Sequence, residues 1–237
     1  MRFSCGNYII LVLLKVISEH TDKYKNERTV MIMIMKYDIY SLGIMVAVIS
    51  FLGFSLENLW LSLTKGFIDN RNMNAPFLMG YGLLVVGMYL LLGTPENMAL
   101  AEMVPVDRSK GEKFFVYFLC AFAVVTVGEL ILGHLMEKIC GIQYWNYNWI
   151  PLHITQYTSI PTSIGFAAII TSFMGACFDP IMSVITMIPA QEAKSASIIL
   201  MLIMSTDLIA SFSKMHRTRS LNTKWQIQTR RSHLKTT

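Results

Sequence analysis

The sequence predicts an all-α fold: a polytopic integral membrane helical bundle of about five transmembrane helices, with a marginal sixth near the N-terminus. Three observations predict it. Of 237 residues, 54% are apolar and 15% charged, with a mean hydropathy of +0.48, whereas soluble domains run about 45–50% apolar and about 25% charged. No Asp, Glu, Lys or Arg occurs between Lys138 and Asp179, or from Phe77 through Pro95, and roughly 20 apolar residues suffice to cross a bilayer core. A few acids stand isolated within apolar runs, an arrangement that lipid tolerates only where protein or water shelters the charge.

Residues 39–63 are apolar apart from Ser, Gly and the pair Glu57-Asn58, and form the first predicted span. The polar turn 65–74 leads into a second, 73–92, punctuated by Gly80, Gly82 and Gly87; glycine is commoner in membrane helices than in soluble ones. Residues 94–113 hold Pro95, Pro105, Glu96, Glu102, Asp107, Arg108 and Lys110 and belong in water. The third span is 114–139, with Glu129 inside it. Residues 143–157, rich in Trp, Tyr and amides and interrupted by Pro151, suit the headgroup zone. The run 160–188 is too long for one upright helix and carries Asp179-Pro180, so it ends near Phe178 or kinks there. The fifth span is 195–212, containing Asp207.

Three parts result: an N-terminal segment 1–36, a transmembrane domain 37–212 and a basic C-terminal tail 213–237. Residues 8–17 are apolar but too short to span, and Met31, Met33 and Met35 each offer a start just before the first full helix. The functional protein is therefore expected to begin there. Residues 214–237 hold Lys and Arg without an acid, which places the C-terminus in the cytoplasm by the positive-inside rule. Attraction to anionic lipid is a secondary use of such a tail; nucleic acid is not expected.

Several chemistries find no support. Cys5, Cys120, Cys140 and Cys177 have no C-x-x-C spacing, and His20, His134, His153, His216 and His233 form no H-E-x-x-H pair. No phosphate-cradling G-x-x-x-x-G-K-[ST] loop and no G-x-S-x-G elbow occurs. No cofactor, metal or catalytic residue is assigned, and any ATP-driven work needs another chain to hydrolyse the nucleotide.

The isolated acids are the candidate site. Glu57 lies one turn beyond Gly53, where a neighbouring helix can approach closely. Glu129, Gly133 and Glu137 recur at i, i+4 and i+8 and share one stripe, which should face inward. Either these acids build a polar site for a cation, proton or substrate amine, or they snorkel or pair with Lys65, Arg71 or Lys138 to assemble the bundle. Asp179 and Asp207 fit the assembly role better, and the aromatic stretch from Gln143 to Tyr147 suits an interfacial anchor.

At these residues the chain resembles a family. Glu57, then Asp69-Asn70-Arg71, Pro76-Phe77 and Tyr81-Gly82, is similar to the first half of the putative ABC-transporter type IV family of bacterial membrane proteins. Gly128-Glu129, Gly133 through Lys138 and Gly141 through Tyr147 resemble its Glu-x-x-x-Gly-x-x-x-Glu-Lys stretch and following Trp-Asp-Tyr segment. The likeness covers roughly 39–185. Asn146 stands where the family tends to have Asp, the turn after Arg71 lacks the usual Gly, and Pro151-Leu152-His153 with Tyr157-Thr158-Ser159 replaces an Asn-Gly-Arg stretch.

The resemblance implies a permease-like subunit of a transport system in the cell membrane, with lipid as its solvent, an ATP-binding subunit in trans and room for a homo-oligomer. Its motif residues are Glu57, Asn70, Arg71, Glu129, Gly133, Glu137, Trp145 and Tyr147. The two halves, Glu57–Arg71 and Glu129–Tyr147, read as loosely related repeats, and transporters often bind cargo between repeats. Two alternatives stand beside this reading. One is a membrane scaffold or regulator that recruits through its basic tail; the other is an interfacial envelope or lipid enzyme pairing Glu129 or Glu137 with His134 or His153.

Overall fold

The computed structural model describes residues 36–98 and 109–229. The apolar stretch 8–17, the expected start among Met31, Met33 and Met35, Cys5 and the last basic residues lie outside the described residues. Six helices carry the fold: α1 (Ile39–Lys65), α2 (Met79–Leu92), α3 (Lys110–Cys140), α4 (Ile160–Ala176), α5 (Phe178–Ile185) and α6 (Ala190–Thr218). Four short strands make two ribbons, β1 (Phe67–Asp69) against β4 (Gln226–Gln228) and β2 (His153–Thr155) against β3 (Thr158–Ser159), both antiparallel.

Local chemistry sets the helix ends. Asp38 caps α1 by accepting the Tyr40 and Ser41 N–H groups at 2.9 and 3.1 Å, and Gly66 at φ 76° ends it, a left-handed stop that costs glycine nothing. Ser109 and Glu112 form a capping box at the start of α3. Ser159 caps α4 ahead of a first-turn proline.

Helices α1, α3 and α6 are each long and apolar enough to cross a membrane, and α4 with α5, bent by 51° at their junction, adds up to one more. The expected break at Asp179-Pro180 is therefore present, just after Cys177. The second span falls short of expectation: α2 begins only at Met79 and has 14 residues, about 21 Å at 1.5 Å per residue, against roughly 30 Å of hydrocarbon. Residues 73–78 are not helical: Pro76 disfavours helical backbone at Ala75, and Asp207 on α6 holds the Asn74 and Ala75 N–H groups at 3.0 and 2.8 Å. That latch also explains Asp207, which holds the turn to the side of α6. Asp179 pairs with Lys36 at 3.2 Å and accepts the Tyr37 hydroxyl at 2.6 Å, not any of the bases expected for it.

Five helices alternate in direction. Tyr81 at the start of α2 meets Glu57 near the end of α1; Phe114 at the start of α3 lies against Gly175 at the end of α4; Ser197 early in α6 lies against Gly43 early in α1. Helix α1 is central, with half of its most apolar window buried against 17% for α3 and for α6. The latter two turn Leu119, Val127, Ile131, Ile198, Leu202 and Ile209 outward, apolar faces that suit lipid. Inside, Met45, Met88, Met174, Met182 and Met204 fill the core, and Tyr89 stacks on Phe178 at 4.6 Å.

This ordering gathers the loops 66–78 and 141–159 and the C-terminal stretch 219–229 at one end of the bundle. The sixth helix runs past residue 212 to Thr218, and the chain then returns so that β4 pairs with β1 in register Phe67–Gln228, Ile68–Ile227 and Asp69–Gln226.

A polar site between two helical hairpins

The site starts from a glycine. Gly53 on α1 leaves room for Tyr81 of α2, whose Cγ would lie 2.6 Å from a Cβ at that position. So seated, the Tyr81 hydroxyl donates to Glu57 Oε1 at 2.5 Å. Arg71 reaches Glu57 Oε2 at 3.2 Å and Asp69 Oδ1 at 3.6 Å. The Glu57 and Arg71 side chains are 26% and 21% exposed, sheltered enough for the pairing to matter. Burial works against the Arg71 cation, but the charges of Glu57, Tyr144 and Asp69 outweigh it and raise its pKa. Its Nε is buried with no hydrogen-bond partner among the described residues.

The turn that aims Arg71 is strained. Arg71 and Asn72 both adopt left-handed backbone, at φ 47° and 66°, a region that non-glycine residues enter at a cost. Asn72 stands where the family's usual glycine is absent, and Asn tolerates this region better than most side chains. The Tyr144 hydroxyl donates to the Arg71 carbonyl at 2.9 Å, joining the loops of the two hairpins.

The second hairpin repeats the arrangement of the first. Gly133 on α3 receives the Tyr157 ring in the space a Cβ would need, and the Tyr157 hydroxyl donates to Glu137 Oε2. Burial, then the Glu137 bond, pushes this phenol up to about 12. In both hairpins a Gly-x-x-x-Glu step takes a tyrosine from the following segment. Registered on that step, Glu137 matches Glu57, and Glu129 falls on Ile49. For the two halves, Glu57–Arg71 and Glu129–Tyr147, the shared unit is thus the glycine, the acid and the tyrosine that follows.

Glu129 is an addition. Its Oε2 accepts the Thr158 hydroxyl at 2.8 Å, with the Ser163 hydroxyl at 3.5 Å, and both residues are fully buried. Burial pushes the Tyr147 phenol up, and the charges of Glu129 and Glu57 push it the same way. Burial also lifts the Tyr144 phenol, to about 12.

Glu57 with Arg71, and Gly133, Glu129 and Glu137 with the Tyr157-Thr158 pair, therefore form two polar groups, and Tyr144 and Trp145 join them into one seam through the Arg71 and Tyr157 carbonyls. Asn70 has other work. The Asn70 amide donates to the Met73 and Asn222 carbonyls, each at 2.7 Å, and its Oδ1 accepts the Lys224 N–H at 2.9 Å. Asn72 Oδ1 accepts the Asn222 N–H at 2.7 Å. These two amides clasp the C-terminal stretch to the Arg71 turn. Trp145 donates its indole N–H to the Tyr157 carbonyl at 2.8 Å and faces inward, while Trp149, at 64% exposure, is the outward aromatic.

The clasp makes a prediction. Asn70→Ala leaves buried backbone groups without partners, each costing about 1–3 kcal/mol, so the stretch should detach locally. Tryptic cleavage at Lys224 in detergent should speed up at least about tenfold, one decade per 1.4 kcal/mol; an unchanged rate would show that the amide is not what holds it.

Tyr81, Asp69, Thr158 and Ser163 are site residues beyond the expected set, as is Asn58, whose Oδ1 accepts the Asp69 N–H at 2.8 Å. The repeated Gly-x-x-x-Glu step was a signal for the tyrosines, whereas the hydroxyls on Glu129 come from a segment whose fold the sequence does not display. His134 and His153 each direct Nδ1 to a main-chain carbonyl, of Leu130 and Ile150. Neither bonds Glu129 or Glu137. A shallow groove along α6, lined by Ile209, Ser213 and Arg217 among others, shares no residue with the seam.

The family model described as Putative ABC-transporter type IV matches residues 44–212. The chain belongs to that family. The match takes in both hairpins and extends beyond the resemblance to most of α6, and with the apolar exterior it marks a membrane protein of ABC-transporter kind. No curated protein and no solved structure matches the chain.

Proposed function

We propose that the chain is the permease-like membrane subunit of a transport system in the cell membrane, working with an ATPase carried on a separate chain. The observation that supports this most is the sheltered Glu57–Arg71 pair standing beside Glu129 between two like-oriented hairpins. A purely structural bundle has no need of a guanidinium shared by two carboxylates with a third, unpaired acid in the adjoining hairpin, because unpaired intramembrane charge costs several kcal/mol.

The topology follows the same reading: five crossings, with the short α2 tilting little and thinning the bilayer locally. Among the described residues, the looped end carries Lys65, Arg71, Lys138, Lys214, Arg217, Arg219 and Lys224, against Lys36, Lys110, Lys113 and Lys194 at the other. At that second end Lys110 is paired with Glu96 at 2.5 Å and Lys36 with Asp179 at 3.2 Å. The positive-inside rule thus favours a cytoplasmic looped end, with the C-terminus and the seam facing the compartment that holds ATP.

The test is purification from membranes in mild detergent, followed by ATP-hydrolysis assays on the intact complex. An ATP-hydrolysing chain should remain bound through size-exclusion chromatography, and Glu57→Gln should lower its hydrolysis at least about tenfold with membrane abundance unchanged, the effect of removing one charge-assisted contact. Recovery of the protein alone, without hydrolysis, would defeat the proposal. Loss of abundance in Glu57→Gln with normal hydrolysis would make the acid an assembly element.

A further inference from the structure

Four acids line or border the seam, and three of them are accounted for. Glu57 and Asp69 share Arg71. Glu137, the repeat partner of Glu57, receives the Tyr157 hydroxyl and lies near the end of α3, beside the loop. Glu129 differs from all of these. It sits two turns deeper in α3 than Glu137, no base pairs with it among the described residues, and its position in the repeat is occupied by Ile49 in the first hairpin. The fold therefore does not need a carboxyl there.

Its surroundings are uncharged oxygens. Thr158 from β3 and Ser163 from α4 converge on one carboxyl oxygen, and Tyr147 faces it from the loop. The charge that acts on it from another helix is Glu57 of α1, which has the same sign. On its own helix, His134 turns to the Leu130 carbonyl and Glu137 to Tyr157 and Gln156. Arg71 is engaged by Glu57 and Asp69. A carboxylate inside a span with hydroxyl neighbours and a like charge nearby is costly as an anion and cheap as the neutral acid.

We propose that Glu129 is an exchangeable proton site, held by Thr158 and Ser163. In the protonated state the carboxyl is neutral. On release the proton leaves toward the looped end, and the new negative charge at Glu129 adds to that of Glu57, which draws on the Arg71 cation. Proton occupancy at Glu129 is thereby tied to how firmly Arg71 holds Glu57. The inference rests on the seam being embedded in a membrane bundle, but not on an ATPase partner. Failure to copurify such a partner leaves it standing, and its own failure leaves the copurification result intact.

Dicyclohexylcarbodiimide tests it on the full chain in detergent or liposomes. This apolar probe takes the proton of a carboxylic acid onto one of its nitrogens while the carboxylate oxygen adds to its central carbon. The adduct keeps every atom of both reactants and then rearranges to a stable N-acylurea that is read by peptide mass. Labelling of the Glu129 peptide is expected at mildly acidic pH, falling about tenfold per pH unit above its midpoint, with the Glu57 peptide unlabelled. Sodium at constant pH should give no protection. Absence of label on Glu129 at every pH, or equal labelling of Glu57 and Glu129, would overturn the proposal; protection by sodium would replace the proton with a metal cation and overturn it equally. Replacing Thr158 by Val should raise or lower the midpoint without abolishing the label, a shift that a carboxyl fully open to water would not show.

Discussion

Arg71→Met is expected to lower stability by about 2–3 kcal/mol, somewhat less than the 3–5 kcal/mol for breaking a fully buried pair, because both partners keep some exposure. For a chain of this size that is a melting temperature lower by roughly 4–12 °C in detergent. The reason is asymmetric. Methionine replaces the stem of Arg71 but leaves Glu57 with only the Tyr81 hydroxyl at 2.5 Å, and Asp69 with the Arg71 backbone N–H at 2.8 Å. The double replacement Glu57→Gln with Arg71→Met should recover part of the loss, since neither partner then remains as an uncompensated charge. An unchanged melting curve in the single variant would show that water already neutralises the pair, and the seam would lose its claim to be sheltered.

Gly82→Ala should be as damaging with a single methyl group. A Cβ at Gly82 would be driven onto the main chain of α1, meeting the Val46 carbonyl and lying 2.6 Å from Ser50 Oγ. Ser50 cannot swing away freely because its hydroxyl donates to that carbonyl at 2.6 Å. Backbone does not yield as a flexible side chain does, so α1 and α2 must separate, at about 1–3 kcal/mol. Membrane helices associate through such close small-residue contacts. The same change at Gly80 or Gly87, where nothing lies within 4 Å, should leave melting unchanged or raise it by up to about 1 kcal/mol through helix propensity. Equal behaviour of all three variants in thermal denaturation would mean that α1 and α2 are not in contact as described.

The consequences of the two substitutions meet at one place. The α1–α2 contact through Gly82 and Gly53 sets the height of Tyr81, and Tyr81 sets the orientation of Glu57. Arg71 is then held to Glu57 from a turn whose backbone is left-handed at two successive residues. Such a turn persists because the bonds of Asn70, Asn72 and Tyr144 over-determine it. The polar seam thus depends on apolar packing on one side and on the C-terminal clasp on the other.

Hydropathy and spacing already imply most of this architecture. Apolar runs mark α1, α3, α4 and α6, Asp179-Pro180 marks the bend, and the i, i+4 spacing of Glu129, Gly133 and Glu137 shows that they share a face. Those are local properties of a chain in a low-dielectric solvent, where backbone groups must bond within their own helix. The late start of α2 is only partly local: Pro76 disfavours helix before it, and Asp207, more than 130 residues later, holds the Asn74 and Ala75 N–H groups in a turn. Residue type alone could not separate Asn70, a clasp, from Arg71, a site residue, or reveal which hydroxyls converge on Glu129. Partners chosen across long separations in sequence depend on which helix faces which, and only the packed bundle decides that.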